Sequence, residues 1–237
     1  MISINFVMAG DIDFSYSGAN AAAYWYKLKN SSEICLTGKK QSPINISPDE
    51  FKRHANPPED IKVAKAYDVD IEYDGHTIEI LNGENELPAS FKLDGKSYEL
   101  HQFHFHTPSE NLVDGKYFDM EAHFVFKTDR TPNASLSVVS VLYNIGSENQ
   151  FLIPIVSNIP TVVKEVKKIK ELDLPRVFYD IEFISKAYRY SGSLTTPPCS
   201  EGVEWWVNTP IQSLNLTQFN ALRDVMGFNS RYAQIRY

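Results

Sequence analysis

Two things are scarce in this chain of 237 residues: cysteine, with only 2, and positive charge, with 23 Lys and Arg against 30 Asp and Glu. The resulting net charge of −7 argues against a nucleic-acid surface, which would normally be basic. Long apolar runs are also missing. None approaches the roughly 20 residues that a membrane-spanning helix needs. The longest, residues 136–143 and 151–156, read as core strands. No internal repeat, low-complexity linker or shift in composition marks a second domain. Residues 1–10 lack a basic start, and their apolar run is too short for a secretory signal. They read as an N-terminal extension or the remnant of a trimmed signal, with one domain over 11–237.

What the chain does have is histidine in a telling arrangement. His104 and His106 lie in Leu100-His101-Gln102-Phe103-His104-Phe105-His106, and His123 lies in Glu121-Ala122-His123-Phe124-Val125. The aromatic and β-branched neighbours favour strands. Strand side chains alternate, so His104 and His106 project to one face, about 7 Å apart at Cα. If the strand carrying His123 is a neighbour, the three imidazoles converge. No cysteine lies nearby to close the site, so three imidazoles and one open position match the ligand set of a catalytic zinc. A lone strand histidine is more often a satisfied core residue; the His-x-His pair and the third histidine together shift that balance.

Gln102 and Glu121 each precede a candidate ligand by two residues and share its face. Each can accept the second ring N–H of its histidine, as outer partners of metal-bound imidazoles usually do. His101 is expected on the opposite face in a structural role, and His54 in a solvated polar loop.

Elsewhere the reading is mainly β, or α+β by strict count. Strands are expected near 69–80, 97–106, 117–127, 135–144, 181–189 and 203–209. Helical turns are expected near 21–28. A helix is expected over 216–227, starting at Thr217 with Gly227 near its end. Val163, Val166, Ile169 and Leu172 fall at helical spacing, which predicts a short amphipathic helix with a charged outer face over 164–171.

Several segments together resemble the α-class carbonic anhydrases, bacterial type. They are Gln41-Ser42-Pro43-Ile44-Asn45-Ile46, Gln102 to His106, Ser109-Glu110-Asn111, Glu121 to Val125, and the run Ser193-Leu194-Thr195-Thr196-Pro197-Pro198-Cys199. They follow the family's order and span most of the chain. The resemblance implies a single domain with a large central, mostly antiparallel twisted sheet, short peripheral helices and a conical cleft. It implies one Zn2+ per chain on His104, His106 and His123, with hydroxide on zinc attacking carbon dioxide to give bicarbonate and a proton. Thr195 would orient that hydroxide and pass its own proton to Glu110. His76 would shuttle protons to buffer, and its imidazole has an ordinary pKa suited to that task. Tyr16 would join the active-site water network, and the Asn229 backbone carbonyl would hold His106. Val125, Val141, Leu194, Val203 and Trp205 would form the apolar pocket, with Thr196 beside the substrate.

The resemblance also pairs Cys35 with Cys199, which implies an oxidising compartment, periplasmic or secreted; two buried free thiols are the cytosolic alternative. Carbon dioxide and bicarbonate would be the substrates, sulfonamides or anions the inhibitors at zinc, and a homodimer is common among bacterial members. Two departures stand out. Asp13-Phe14-Ser15-Tyr16 replaces the family's His-Trp-x-Tyr, which bears on packing at the cleft mouth. Asn229-Ser230-Arg231-Tyr232-Ala233-Gln234 lacks the usual proline, and the family's final strand is expected to be missing. Two rival readings are a cupin-type metal oxygenase, from His104-x-His106-x-x-x-Glu110, and a carbonic-anhydrase-like binding domain without catalysis.

Overall fold

A computed structural model describes residues 12–47, 58–83, 86–129, 134–180 and 187–235. Residues 1–10, His54 and most of the expected strand at 181–189 lie outside the described residues. Among the described residues the strands in the first half are β1 (Asn45–Ile46), β2 (Glu59–Val63), β3 (Ala66–Tyr73), β4 (Ile78–Leu81), β5 (Ala89–Leu93), β6 (Lys96–His106) and β7 (Leu112–Val113). The second half contributes β8 (Met120–Lys127), β9 (Leu136–Ile145), β10 (Val166–Leu172), β11 (Ala187–Ser193), β12 (Glu201–Asn208) and β13 (Gln212–Leu214). The helices are short: α1 (Ile34–Thr37), α2 (Ile153–Val156), α3 (Leu174–Asp180) and α4 (Leu216–Met226), with a 3-10 turn over Ala22–Lys27 where helical turns were expected.

Eleven strands form one sheet whose main order is β10-β3-β4-β6-β8-β9-β12-β11, with β5 on β6, β2 on β5 and β13 on β9. Pairing within this sheet is antiparallel except where β9 meets β12 and β13, and β1 with β7 forms a separate parallel pair. The long middle strands are buried on both faces: seven of the eight β8 residues are buried, as are the first eight residues of β9. Such strands read as continuous apolar runs because neither face meets water. One face carries the main core, including Leu100, Phe103, Phe105, Ala122, Phe124, Phe126 and Val139. The other carries a smaller cluster with Val125, Val138, Val203 and Trp205, together with the histidines' side of β6 and β8.

Two element types differ from expectation. Residues 166–172 form edge strand β10 rather than an amphipathic helix. Its buried Ile169 and Leu172 are three apart, which suits either structure, but β3 offers an unpaired edge, and Val166 to Leu172 zips onto it. A helix this short is marginal by itself, so the ladder wins. Lys164 and Lys168 pair with Glu72 and Asp70 of β3 at 3.0 and 3.1 Å. Charged edges of this kind also discourage pairing with other chains. Residues 151–156 form no strand: Pro154 sits in the first turn of α2, where its missing N–H costs nothing. Helix α4 begins one residue before the expected Thr217, with Asn215 and Gln218 in a reciprocal capping box, and ends as expected at Gly227, the C-cap with φ 65°.

Candidate metal centre

Antiparallel pairing of β6 with β8 sets His104 directly opposite His123, and His106 opposite Glu121. The three rings therefore crowd together, with centroids 5.0, 5.3 and 4.5 Å apart. One ligand nitrogen from each lies within 4.8 Å of the others. Every ring's other nitrogen has its own acceptor. His104 Nδ1 meets Gln102 Oε1 at 2.9 Å, His106 Nδ1 meets the Asn229 carbonyl at 2.8 Å, and His123 Nε2 meets Glu121 Oε1 at 2.9 Å. These contacts fix the tautomers and leave the lone pairs of His104 Nε2, His106 Nε2 and His123 Nδ1 free. His106 Nε2 is buried without any hydrogen-bond partner, which is costly unless something else occupies it. Burial pushes the His104 and His106 rings below the ordinary histidine value; the neighbouring rings push His104 further, and the Asn229 bond partly offsets the effect at His106. Neutral rings are what a metal needs. The donor set fits a zinc ion bound by three imidazoles.

Glu121 anchors this assembly. It accepts the backbone N–H groups of Glu110 and Asn111 at 2.7 and 2.8 Å, the Asn111 side chain at 2.7 Å and the Ser140 hydroxyl. Burial alone would raise its pKa, but the electrostatic pull of the His123 ring and the hydrogen bonds from His123, Ser140 and Asn111 outweigh it and hold the carboxyl at about 2. Glu110 is the opposite case. Burial raises it to about 7, against the pull of His123, the Arg231 amide and Thr195. Its Oε1 accepts Arg231 N–H at 2.8 Å, whereas Oε2 is buried, meets no donor at hydrogen-bond geometry and lies 3.9 Å from His123 Nδ1. Thr195 is buried in the turn after β11, held where Leu194 N bonds Ser200 O and Cys199 N bonds Thr196 O. Cys199 of that turn is disulfide-bonded to Cys35.

His76 sits in the β3–β4 turn, where Asp74 Oδ1 caps the N–H groups of His76 and Thr77 at 2.7 Å each. Its ring stacks on Phe14 at 4.1 Å and faces Tyr16 edge-on at 6.2 Å. Phe14 also packs edge-on against Trp25 at 5.4 Å. Tyr16 is half-buried at its surface, and the burial of its hydroxyl followed by the charges of Glu110 and Asp74 keeps that hydroxyl well above the ordinary tyrosine value. It remains a neutral hydrogen-bonding group at any ordinary pH.

Val125, Val203 and Trp205 share the smaller cluster, Leu194 packs against it, and the Trp205 ring lies 4.8 Å from that of His123. Thr196 is half-buried in the same turn as Thr195. Val141 does not join them. It lies opposite Ala122 and is fully buried in the main core on the far face of β9. Val138 stands instead across from both Val125 and Trp205. In a strand that is apolar on both faces, nothing in the sequence distinguishes one valine's direction from another's. His101 is a second correction. A register shift between Leu100 and Gln102 inserts His101 as an extra residue, so it and Gln102 both lie off the core face between core residues Leu100 and Phe103. Simple alternation placed it wrongly.

Sequence reasoning passed over Arg231. It is 1% exposed, with its guanidinium donating to Gln41 Oε1 at 3.0 Å, Ser42 O at 2.6 Å and Cys35 O at 3.0 Å. It ties the tail to the Gln41-Ser42-Pro43 segment and, through its own N–H, to Glu110. Nothing local in Ser230-Arg231-Tyr232 announces such burial.

Known proteins give the same picture. The family model described as eukaryotic-type carbonic anhydrase matches residues 20–235. A carbonic anhydrase of Neisseria gonorrhoeae is 40% identical over 201 residues, covering 82% of this chain and 73% of the relative. One from Pectobacterium atrosepticum is 33% identical over 217 residues, covering 91% and 84%. The solved structure of α-carbonic anhydrase from Thermovibrio ammonificans in complex with the inhibitor sulfanilamide superposes with a TM-score of 0.82 at 33% identity, covering 94% of this chain and 96% of the other. The large sheet and the histidine cluster thus define a single-domain β enzyme of the carbonic anhydrase type. This chain belongs to the eukaryotic-type, or α-class, carbonic anhydrase family, for which hydration of carbon dioxide is the general reaction. The cupin alternative falls with that match.

Proposed function

We propose that this protein hydrates carbon dioxide reversibly to bicarbonate and a proton, using one zinc ion held by His104 Nε2, His106 Nε2 and His123 Nδ1. A single observation carries the reading: three imidazole nitrogens meet within 4.8 Å while each ring's other nitrogen is occupied by a separate acceptor. Bound there, zinc supplies Lewis-acid activation of water in an open coordination position.

The chain's own groups do the rest. Glu110, held by the Arg231 amide, takes the Thr195 hydroxyl hydrogen, so that Thr195 Oγ offers only lone pairs to the site and orients a donor beside it. Glu110 would act as acceptor in its ionised form, which a divalent cation held by the three histidines would favour. Val125, Val138, Leu194, Val203 and Trp205 form the apolar wall against which carbon dioxide rests. Thr196 lines the substrate side. His76, in a turn stacked on Phe14, exchanges the released proton with buffer, and Tyr16 helps to order the intervening water.

Inhibition by sulfonamides is supported by the sulfanilamide complex of the Thermovibrio relative. The Cys35–Cys199 disulfide supports a periplasmic or secreted location. The decisive experiment is stopped-flow carbon dioxide hydration on zinc-loaded protein, with His123→Ala as control. Activity in the parent and its loss in the variant are expected; equal rates in the two would refute the assignment.

A further inference from the structure

A cavity of about 380 Å3 opens beside the β2–β5–β6 region, away from the three histidines. Its volume lies within the roughly 300–1,000 Å3 typical of small-molecule sites. The wall includes the apolar side chains of Val63, Leu87 and Pro88, and its charged end includes His101 and Lys127. The chain's topology builds this end. On β8, Met120, Ala122, Phe124 and Phe126 face the main core, so Lys127 shares the opposite face with His123 and Val125. It stands four residues along from His123, or about 13 Å. On β6, the extra residue at the register shift turns His101 off the core face, toward the same side.

Lys127 is half-buried, yet its ammonium makes no hydrogen bond or ion pair among the described residues. The His101 ring likewise has no hydrogen-bond partner there. Burial pushes the Lys127 ammonium down from the ordinary lysine value, and Glu79 offsets only part of this. His101 is lowered first by burial and then by the Lys127 charge, so the two groups lie within each other's field. Of the cavity's acids, Glu86 and Asp129 already have partners and Glu99 is exposed. A half-buried cation whose one acidic influence, Glu79, makes no direct ion pair with it, next to an apolar wall, is incomplete in a specific way: an anion with an apolar body would complete it.

We propose that this cavity binds a small organic carboxylate, its apolar body against Val63, Leu87 and Pro88 and its carboxylate between Lys127 Nζ and the His101 ring. The site is separate from the metal centre and does not depend on the reaction assigned there.

Benzoate is a suitable probe, with uncharged benzamide for comparison. Calorimetric titration of each into zinc-loaded protein, alone and with saturating sulfanilamide, tests the site. Saturable benzoate binding that survives sulfanilamide is expected. Lys127→Gln should weaken it at least about 10-fold, the loss of one charge-assisted hydrogen bond, and benzamide should bind the parent comparably less well. Lys127→Arg, which keeps the charge, should retain affinity. Lys127→Gln should still hydrate carbon dioxide at the parent rate, which shows that it is folded. No saturable benzoate binding, displacement by sulfanilamide, or equal affinity in the parent and Lys127→Gln would each overturn the proposal.

Discussion

Glu121 Oε1 lies 2.9 Å from His123 Nε2, and the same carboxylate takes two backbone N–H groups of the Glu110–Asn111 loop. One buried charge therefore orients a metal-binding ring and fixes the loop that carries Glu110. In Glu121→Gln the carboxamide keeps the shape but has a single acceptor oxygen for this crowd of donors, and its NH2 faces other N–H groups. Zinc affinity should fall by about 10–100-fold, the usual cost of losing an outer partner. Stability should fall by about 1.5–3 kcal/mol, the scale of one charged hydrogen bond. Chelator competition and denaturant unfolding read the two effects separately.

His76 gives a different signature. Its turn is held by Asp74 and its ring by Phe14, with no contact to the three candidate ligands among its hydrogen bonds. His76→Ala should leave zinc content unchanged and slow turnover where proton transfer limits it, by at least about 10-fold, toward the 10²-fold that positioned proton transfer commonly supplies. Added imidazole buffer should restore much of the loss. A variant with full turnover in weak buffer would remove His76 from the reaction.

How far the sequence carried these conclusions varied with the physics of each element. The histidine cluster was legible because strand alternation is rigid: His-x-His must share a face, and Gln102 and Glu121 follow by the same period. The end of α4 was legible from Gly227, whose cap chemistry is local, and its start to within one residue. Three things were not. The direction of Val138 and Val141 is hidden in a strand apolar on both sides. The displacement of His101 depends on a bulge, a property of how two strands pair rather than of either one. The choice of strand for Val166–Leu172 depends on the vacant edge of β3, about 100 residues away in sequence.

Glu79 offers a pH test. It lies on β4 across from His104, and burial first, then the charges of Asp74 and Glu72, raise its carboxyl from 4.5 to about 7. An acid whose folded pKa exceeds its unfolded value binds more protons when folded. The Glu79 contribution to stability is thus greatest below about pH 4.5, declines as pH rises, and levels off above about 7. Glu79→Gln removes this contribution and should be the more stable protein at pH 8, by no more than about 3 kcal/mol, with the gain shrinking toward pH 5. Chemical denaturation of both proteins at the two pH values measures it. An equal gap at both would show that the carboxyl is not perturbed in the folded state.

The disulfide joins residues 164 apart, and the Cys35 carbonyl also receives the Arg231 guanidinium. Chain-entropy reasoning gives a bridge of this span roughly 5 kcal/mol. Cys35→Ser with Cys199→Ser, or full reduction, should lower the melting temperature by many degrees. It should also depress turnover below the melting range, because Thr195 sits in the turn that Cys199 closes. Thiol titration of the air-purified parent should find no free thiol.

Asn229 separates two roles within one residue. Its backbone carbonyl accepts from His106 Nδ1, so truncating the side chain leaves that contact in place. The side chain does something else: Oδ1 accepts Thr107 N–H at 2.7 Å, and Nδ2 donates to Phe105 O at 2.9 Å and His76 O at 3.0 Å. It therefore laces the end of β6 to the turn that bears His76. Asn229→Ala strands the buried Thr107 N–H and removes a donor from the His76 and Phe105 carbonyls, the latter still bonded by the Thr77 hydroxyl, at a cost of about 1–3 kcal/mol. Because the ligand-holding carbonyl survives, zinc affinity should change far less than in Glu121→Gln. The His76 turn loses its tether, so the buffer-dependent part of turnover should fall more than kcat/KM. If zinc affinity collapsed while the buffer dependence stayed intact, the side chain would be supporting the metal ligand rather than the turn.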